Sequence, residues 1–191
     1  MLLALVGVTG VGKSYFTKII SHMLNFKTVN TIRTRPIRKG ENPKFFMSDD
    51  ELNKMYNEGK IAYKFSVFGG QYGYLKDEIF SEENMIFEMH YTTIYDWKKV
   101  RPDIKTIYIM PSNLDIAKQK TMERNLSKEK EIERLNEIDE HYRNITENEE
   151  LRNQFDYIFY NNYDTESEER ILELVSGLIK IEKKYNKGYG K

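Results

Sequence analysis

The chain opens with Leu2-Leu3-Ala4-Leu5-Val6, followed by Gly7-Val8-Thr9-Gly10-Val11-Gly12-Lys13-Ser14. A continuous apolar run bounded by glycine predicts a central parallel strand covered on both faces. Beyond Lys13, apolar residues return at Phe16, Ile19, Ile20, Met23 and Leu24, the spacing of one helical face, so a helix is predicted over Ser14 to Leu24. Between strand and helix, the pattern G-x-x-x-x-G-K-S lets successive backbone N–H groups turn inward around phosphate oxygens, and the positive end of the helix adds to the attraction. The glycines permit that curvature. In this reading Gly7, Thr9, Gly10, Val11, Gly12, Lys13 and Ser14 form the cradle. Lys13 reaches the β- and γ-phosphates of ATP, and the Ser14 hydroxyl ligates the Mg2+ that bridges them.

Working outward, Met85 to Met89, Thr106 to Met110 and Asp156 to Tyr160 are short apolar runs separated by helical patterns, an alternation that predicts parallel βαβ units in a three-layer α/β fold. Pro111, Ser112 and Asn113 offer a stop and an N-cap before a helix over Leu114 to Arg124. Helical spacing resumes from Glu129 to about Glu150, and a final helix spans about Thr165 to Lys184, followed by a frayed tail. Residues 31–80 differ. Pro36, Gly40, Pro43, Gly59 and the Gly69-Gly70-Gln71-Tyr72-Gly73 cluster punctuate short aromatic runs such as Ile61 to Phe68, which predicts a small mixed β insertion.

The 191 residues suit one compact domain. Lysine plus arginine equals aspartate plus glutamate at 30 each, so bulk charge gives no reason to expect a nucleic-acid or membrane partner. No apolar run approaches the roughly 20 residues of a membrane-spanning helix. The absence of cysteine excludes disulfides, thiol catalysis and a thiolate metal site. With Met1 leading straight into the first strand, no cleavable signal fits, and a cytoplasmic protein is expected. The sequence carries no signal for an oligomeric state.

Arg33, Arg35, Arg38 and Lys39 crowd into seven residues beside Pro36. Read alone, they make an ordinary basic surface loop. Downstream of a phosphate-cradling loop, a second phosphate site is the better reading, because guanidinium donors match phosphate oxygens in pairs.

The sequence resembles the guanylate kinase family from the phosphate-cradling loop at Gly7 to about residue 180. The family's T-T-R-x-x-R-x-G-E segment corresponds to Arg33 through Glu41, and its E-G-x-x-x-E…G-x-x-Y-G segment is similar to Glu58 through Gly73. Its lid arginine and the arginine of the following helix look like Arg124 and Arg134. Its N-D-D turn near the adenine looks like Asn161-Asn162. The resemblance implies a P-loop nucleoside monophosphate kinase. Its core would comprise 1–30 and 81–184, its acceptor-binding subdomain 31–80 and its lid about 124–130. The acceptor phosphate would sit on Arg35, Arg38 and Tyr72, with Lys13, Arg124 and Arg134 neutralising the transferring group. Both lid-type arginines also have an ordinary surface reading, since Glu131 and Glu137 flank Arg134.

Departures gather where the family recognises guanine. A base-reading glutamate is replaced by Tyr63, a small hydroxyl residue by Tyr74, and a serine by Thr31. The family's D-x-D becomes Glu88-Met89-His90, and a phosphate-binding tyrosine is lost or replaced by Phe45. Tyr63 and Tyr74 would stack on a base or narrow its pocket. His90 is either a base contact or a polar strand end. Glu88 takes the place of an acid near the magnesium, or is structural. The leading acceptor is GMP or dGMP. Another nucleotide, a phosphorylated sugar, or a non-catalytic peptide-binding module of the same fold are the rival readings.

Overall fold

In the computed structural model, which describes residues 1–37, 40–67, 69–123 and 127–188, the opening apolar run is β1 (Leu2–Gly7) and all six of its residues are buried. It leads into α1 (Lys13–Leu24) and β2 (Lys27–Thr28). Then come β3 (Thr31–Arg33), α2 (Asp49–Asn57), β4 (Ile61–Val67), β5 (Gly70–Leu75) and α3 (Lys76–Ile79). The second half runs β6 (Met85–Glu88), α4 (Ile94–Val100), β7 (Lys105–Pro111), α5 (Leu114–Met122), α6 (Lys128–Glu147), α7 (Glu149–Arg152), β8 (Tyr157–Asn161) and α8 (Thr165–Gly188).

β1 lies at the centre of a five-stranded parallel sheet of order β2-β6-β1-β7-β8. Strand alternation splits its side chains between two layers. Leu3 and Leu5 meet Phe16 and Ile20 of α1 and Ile171 and Val175 of α8. Leu2, Ala4 and Val6 meet Ile94 and Trp97 of α4 and Tyr108 of β7. This is the expected three-layer arrangement. Each fully buried Leu or Val contributes about 1.5–3 kcal/mol relative to an exposed one. Among the described residues no helix is long and apolar enough to cross a membrane.

Residues 31–80 carry a separate sheet of order β3-β5-β4. Its ladders are antiparallel throughout, not mixed, because β4 and β5 pair directly and β5 then pairs β3; one parallel bridge, Arg33 to Phe46, lies outside the strands. One face is closed by α2, a helix the apolar spacing does not predict. Its start is nonetheless written as a capping box, Ser48 to Glu51, and its Leu52 is buried with Ile32 and Ile61.

Two helices differ from expectation. Asn113 caps α5 as predicted, accepting from Asp115 N at 2.8 Å, but α5 ends at Met122. The long helix over 129–150 is broken, because the Asn148 side chain accepts from Leu151 N at 2.9 Å and starts α7 afresh. Of the expected lid, 124–126 lie outside the described residues, Ser127 is an N-cap, and 128–130 are the first turn of α6.

Candidate active site

The loop between β1 and α1 sits at the carboxyl end of the parallel sheet, the edge where open α/β sheets bind ligands. Two glycines make it possible. Gly7 (φ +146°) passes so near β7 that a Cβ would stand 2.5 Å from the Ile109 carbonyl oxygen. Gly10 (φ +81°) lies against α5, where a Cβ would run into the Ala117 carbonyl. Val8 and Val11 are fully buried and pin the loop to the core. No side chain caps α1, so its first N–H groups are left for an anion. Lys13 Nζ donates to Gly7 O at 2.8 Å and Val8 O at 2.9 Å, which holds the ammonium over the loop.

This cradle fits phosphates. Among the described residues no three His, Cys, Asp or Glu side chains gather to hold a metal. Ser14, the residue expected to meet magnesium, is exposed in the first turn of α1.

Beside the loop lies a cavity of about 330 Å³ walled by Gly12, Tyr15, Phe16, Asn161, Tyr163 and Glu168, among others. Tyr15 donates to Glu168 Oε1 at 2.7 Å across one side. Asn161 is buried, donating from Nδ2 to Val11 O at 3.0 Å and accepting from Tyr163 N at 2.8 Å. It therefore ties the end of β8 to the phosphate loop.

On the smaller sheet, Arg35 is nearly enclosed. Its Nε donates to the Tyr72 hydroxyl at 3.1 Å, and its two terminal nitrogens fork onto Glu41 at 2.8 and 2.6 Å. The Arg35–Tyr72 pair is one the sequence brings together in expectation; Glu41 is the partner it does not assign. The ring against the arginines is that of Phe46, 5.8 Å from Arg33 Cζ and 5.4 Å from Arg35 Cζ, whereas Phe45 carries Lys44. Adjacent phenylalanines offer no sequence signal for which one faces the site. Arg38 and Arg124 lie outside the described residues.

Thr31 pairs with Tyr74, and Tyr74 with Tyr63, across the three strands. Tyr74 is 2% exposed, packed edge-on against Phe87 and Trp97, and burial holds its phenol well above its ordinary pKa. Tyr63 stacks beside it and donates to Asp96 Oδ2 at 3.4 Å, and burial pushes its pKa up to about 12. Tyr74 is therefore a core residue, and Tyr63 packs partly buried against the same cluster.

Glu88 is exposed at the end of β6. His90 follows it, with Nδ1 2.7 Å from Thr92 Oγ1. Burial, then the Lys13 and Arg134 charges, press its pKa down to about 4. Arg134 donates to Glu137 Oε2 at 2.6 Å. Sequence reasoning passes over His141, which stacks on Tyr91 at 3.8 Å beside His90. The available signal is its position two helical turns beyond Arg134, on the same face of α6.

The guanylate kinase family model matches residues 1–177. The chain belongs to the guanylate kinase family. It is 27% identical over 194 residues to a guanylate kinase of Legionella pneumophila, covering 94% of this chain and 87% of that protein. A guanylate kinase of Wolbachia pipientis is 25% identical over 187 residues, covering 92% and 89% respectively. The solved guanylate kinase of Anaplasma phagocytophilum shares the fold at a TM-score of 0.68 and 18% identity, over 95% of this chain and 85% of that one. With the family match and these guanylate kinase relatives, the chain is a nucleoside monophosphate kinase.

Proposed function

We propose that the protein transfers the γ-phosphoryl group of ATP to a nucleoside monophosphate, with GMP or dGMP as leading acceptor, in the cytoplasm. ATP supplies the transferable phosphoryl group, and Mg2+ neutralises its oxygens. The observation that carries the reading is the phosphate loop, its shape set by Gly7 and Gly10 and its ammonium held by Gly7 O and Val8 O. On the smaller sheet Arg33 pairs with Tyr72 in register, and the Tyr72 hydroxyl accepts from Arg35 Nε at 3.1 Å.

In this reading Lys13 turns from its loop carbonyls to the donor phosphates, and Ser14 contributes its hydroxyl. Asn161 holds the cavity wall for the donor base. Arg35, Arg38 and Tyr72 grip the acceptor phosphate, while Arg134 and Arg124 approach the transferring group. Phosphoryl transfer needs in-line positioning and charge stabilisation more than a protein base, and these residues supply both. Acceptor binding is assigned to 31–80, and closure to the segment at about 124–130.

A second reading has one observation in its favour. Tyr63 and Tyr74 fill part of the face on which the family's base-reading residues lie, so an acceptor other than a guanine nucleotide, including a phosphorylated sugar, fits a same-fold kinase. A coupled assay of ADP release across the common ribo- and deoxynucleoside monophosphates tests the proposal: turnover with GMP or dGMP above the rest supports it, and no turnover with any of them ends it.

A further inference from the structure

The cavity beside the phosphate loop holds one carboxylate whose acceptor capacity the fold leaves open. Asp164 uses Oδ1 to receive Ser167 N and Ser167 Oγ at the start of α8, at 2.8 and 2.7 Å. Lys120 pairs with Glu123 at 3.2 Å, and the Asn161 amide is committed to Val11 O and Tyr163 N. Glu168 is different. Among the described residues its one hydrogen bond is from the Tyr15 hydroxyl to Oε1, at 2.7 Å, which leaves Oε2 of this half-buried carboxylate without a protein donor. Tyr15 follows Ser14 directly in the first turn of α1, so this bond fixes the Glu168 carboxylate beside the outgoing edge of the phosphate loop.

We infer that Glu168, oriented by Tyr15, accepts hydrogen bonds from the ribose hydroxyls of the donor nucleotide and makes the site selective for ribonucleoside triphosphates. The inference rests on ATP as the donor proposed above and not on the acceptor. Gly10 and Gly12 of the loop line the same cavity as Tyr15 and Glu168. In a nucleotide the sugar is the group joined to the phosphates, so phosphates seated in the loop bring the sugar to the loop end of the cavity. Its volume of about 330 Å³ is that of a small-ligand site. An ionised carboxylate accepts and cannot donate. Phosphate oxygens offer it no proton, whereas the neighbouring 2′- and 3′-hydroxyls of ribose offer two, the chemistry by which an acidic side chain holds ribose in dinucleotide-binding folds. An amino group on the base also donates, so the test removes the sugar hydroxyls and leaves the base unchanged.

Titration calorimetry without an acceptor compares ATP with 2′,3′-dideoxy-ATP, both with Mg2+, on the wild-type chain and on Glu168→Leu, Glu168→Gln and Tyr15→Phe. The wild type should bind ATP about tenfold more tightly, the scale of hydrogen bonds to a charged acceptor. Glu168→Leu should bring the two affinities together. Glu168→Gln, which keeps an acceptor oxygen but loses the charge, and Tyr15→Phe, which releases the carboxylate, should each fall between. A purely structural tie between α1 and α8 would weaken both ligands equally in these variants and leave the ratio alone. Equal affinities in the wild type, or a ratio that survives Glu168→Leu, overturns the inference and leaves the transfer reaction standing. Absence of ATP binding overturns the donor reading and the inference together. An intact ratio in a chain that turns over no acceptor supports the inference and ends the transfer reaction alone.

Discussion

Asn161 at the end of β8 donates a hydrogen bond of 3.0 Å to the Val11 carbonyl of the phosphate loop. Its Oδ1 meanwhile accepts from Tyr163 N, so one buried amide fixes both the loop and the turn that walls the neighbouring cavity. Asn161→Ala leaves the buried Val11 carbonyl without its partner, at a cost of about 1–3 kcal/mol before relaxation, and frees the part-buried Tyr163 N–H. The expected outcome is a lower denaturation midpoint together with a raised KM for ATP. A variant as stable as wild type with an unaltered KM would show that the loop is positioned by other contacts.

Lys13 reaches back across the loop, bonded to Gly7 O and Val8 O. Lys13→Met keeps most of the side-chain volume and removes the charge. Loss of one such electrostatic group costs on the order of 10²–10³ in kcat, and thermal stability should change little because two part-buried carbonyls regain access to water. Single-turnover kinetics with saturating ATP read this directly. A kcat within a fewfold of wild type would remove Lys13 from the transfer step.

Gly10 tests the loop's shape rather than its charge. With φ at +81° and the Ala117 carbonyl in the way of a Cβ, Gly10→Ala is strained twice over. The substitution should lower stability by about 1–3 kcal/mol, the scale of a residue forced into an unfavourable backbone region, and abolish measurable ATP binding by calorimetry. Normal ATP affinity in this variant would mean that the loop can take another shape.

The core of this architecture is legible in the sequence because β1 is apolar at every position and buried on both faces, a pattern few other elements produce. The phosphate loop is legible for the same reason that it works, since only glycine tolerates Gly7 and Gly10 where they lie. The acceptor region is harder to read. α2 is short, and its apolar stripe is little more than Leu52 and Met55, which pack with Ile32 and Ile61. The ring beside Arg35 is Phe46 rather than its neighbour Phe45, a choice made by the bridge between Arg33 and Phe46, which is tertiary. The burial of Tyr74 follows from the docking of the smaller sheet on Trp97 of α4 and Phe87 of β6, and no local pattern announces it.

The two histidines beneath the site give the fold an acid sensitivity of definite sign. Burial and the nearby Lys13 and Arg134 charges hold the His90 pKa at about 4 in the folded chain, against the ordinary value of about 6.5. Burial, with Lys13 and His90 adding to it, lowers His141 further. In the unfolded chain both rings take up a proton as pH falls through about 6.5, while the folded chain does not. The unfolded state then binds more protons, so stability rises with pH across this window and is lost progressively from about pH 6.5 downward. Urea denaturation midpoints measured from pH 7.5 to pH 4.5 should therefore fall, and His141→Phe, which keeps a ring against Tyr91 but cannot titrate, should fall less steeply. An identical slope in that variant would assign the acid loss to carboxylates instead of the histidine stack.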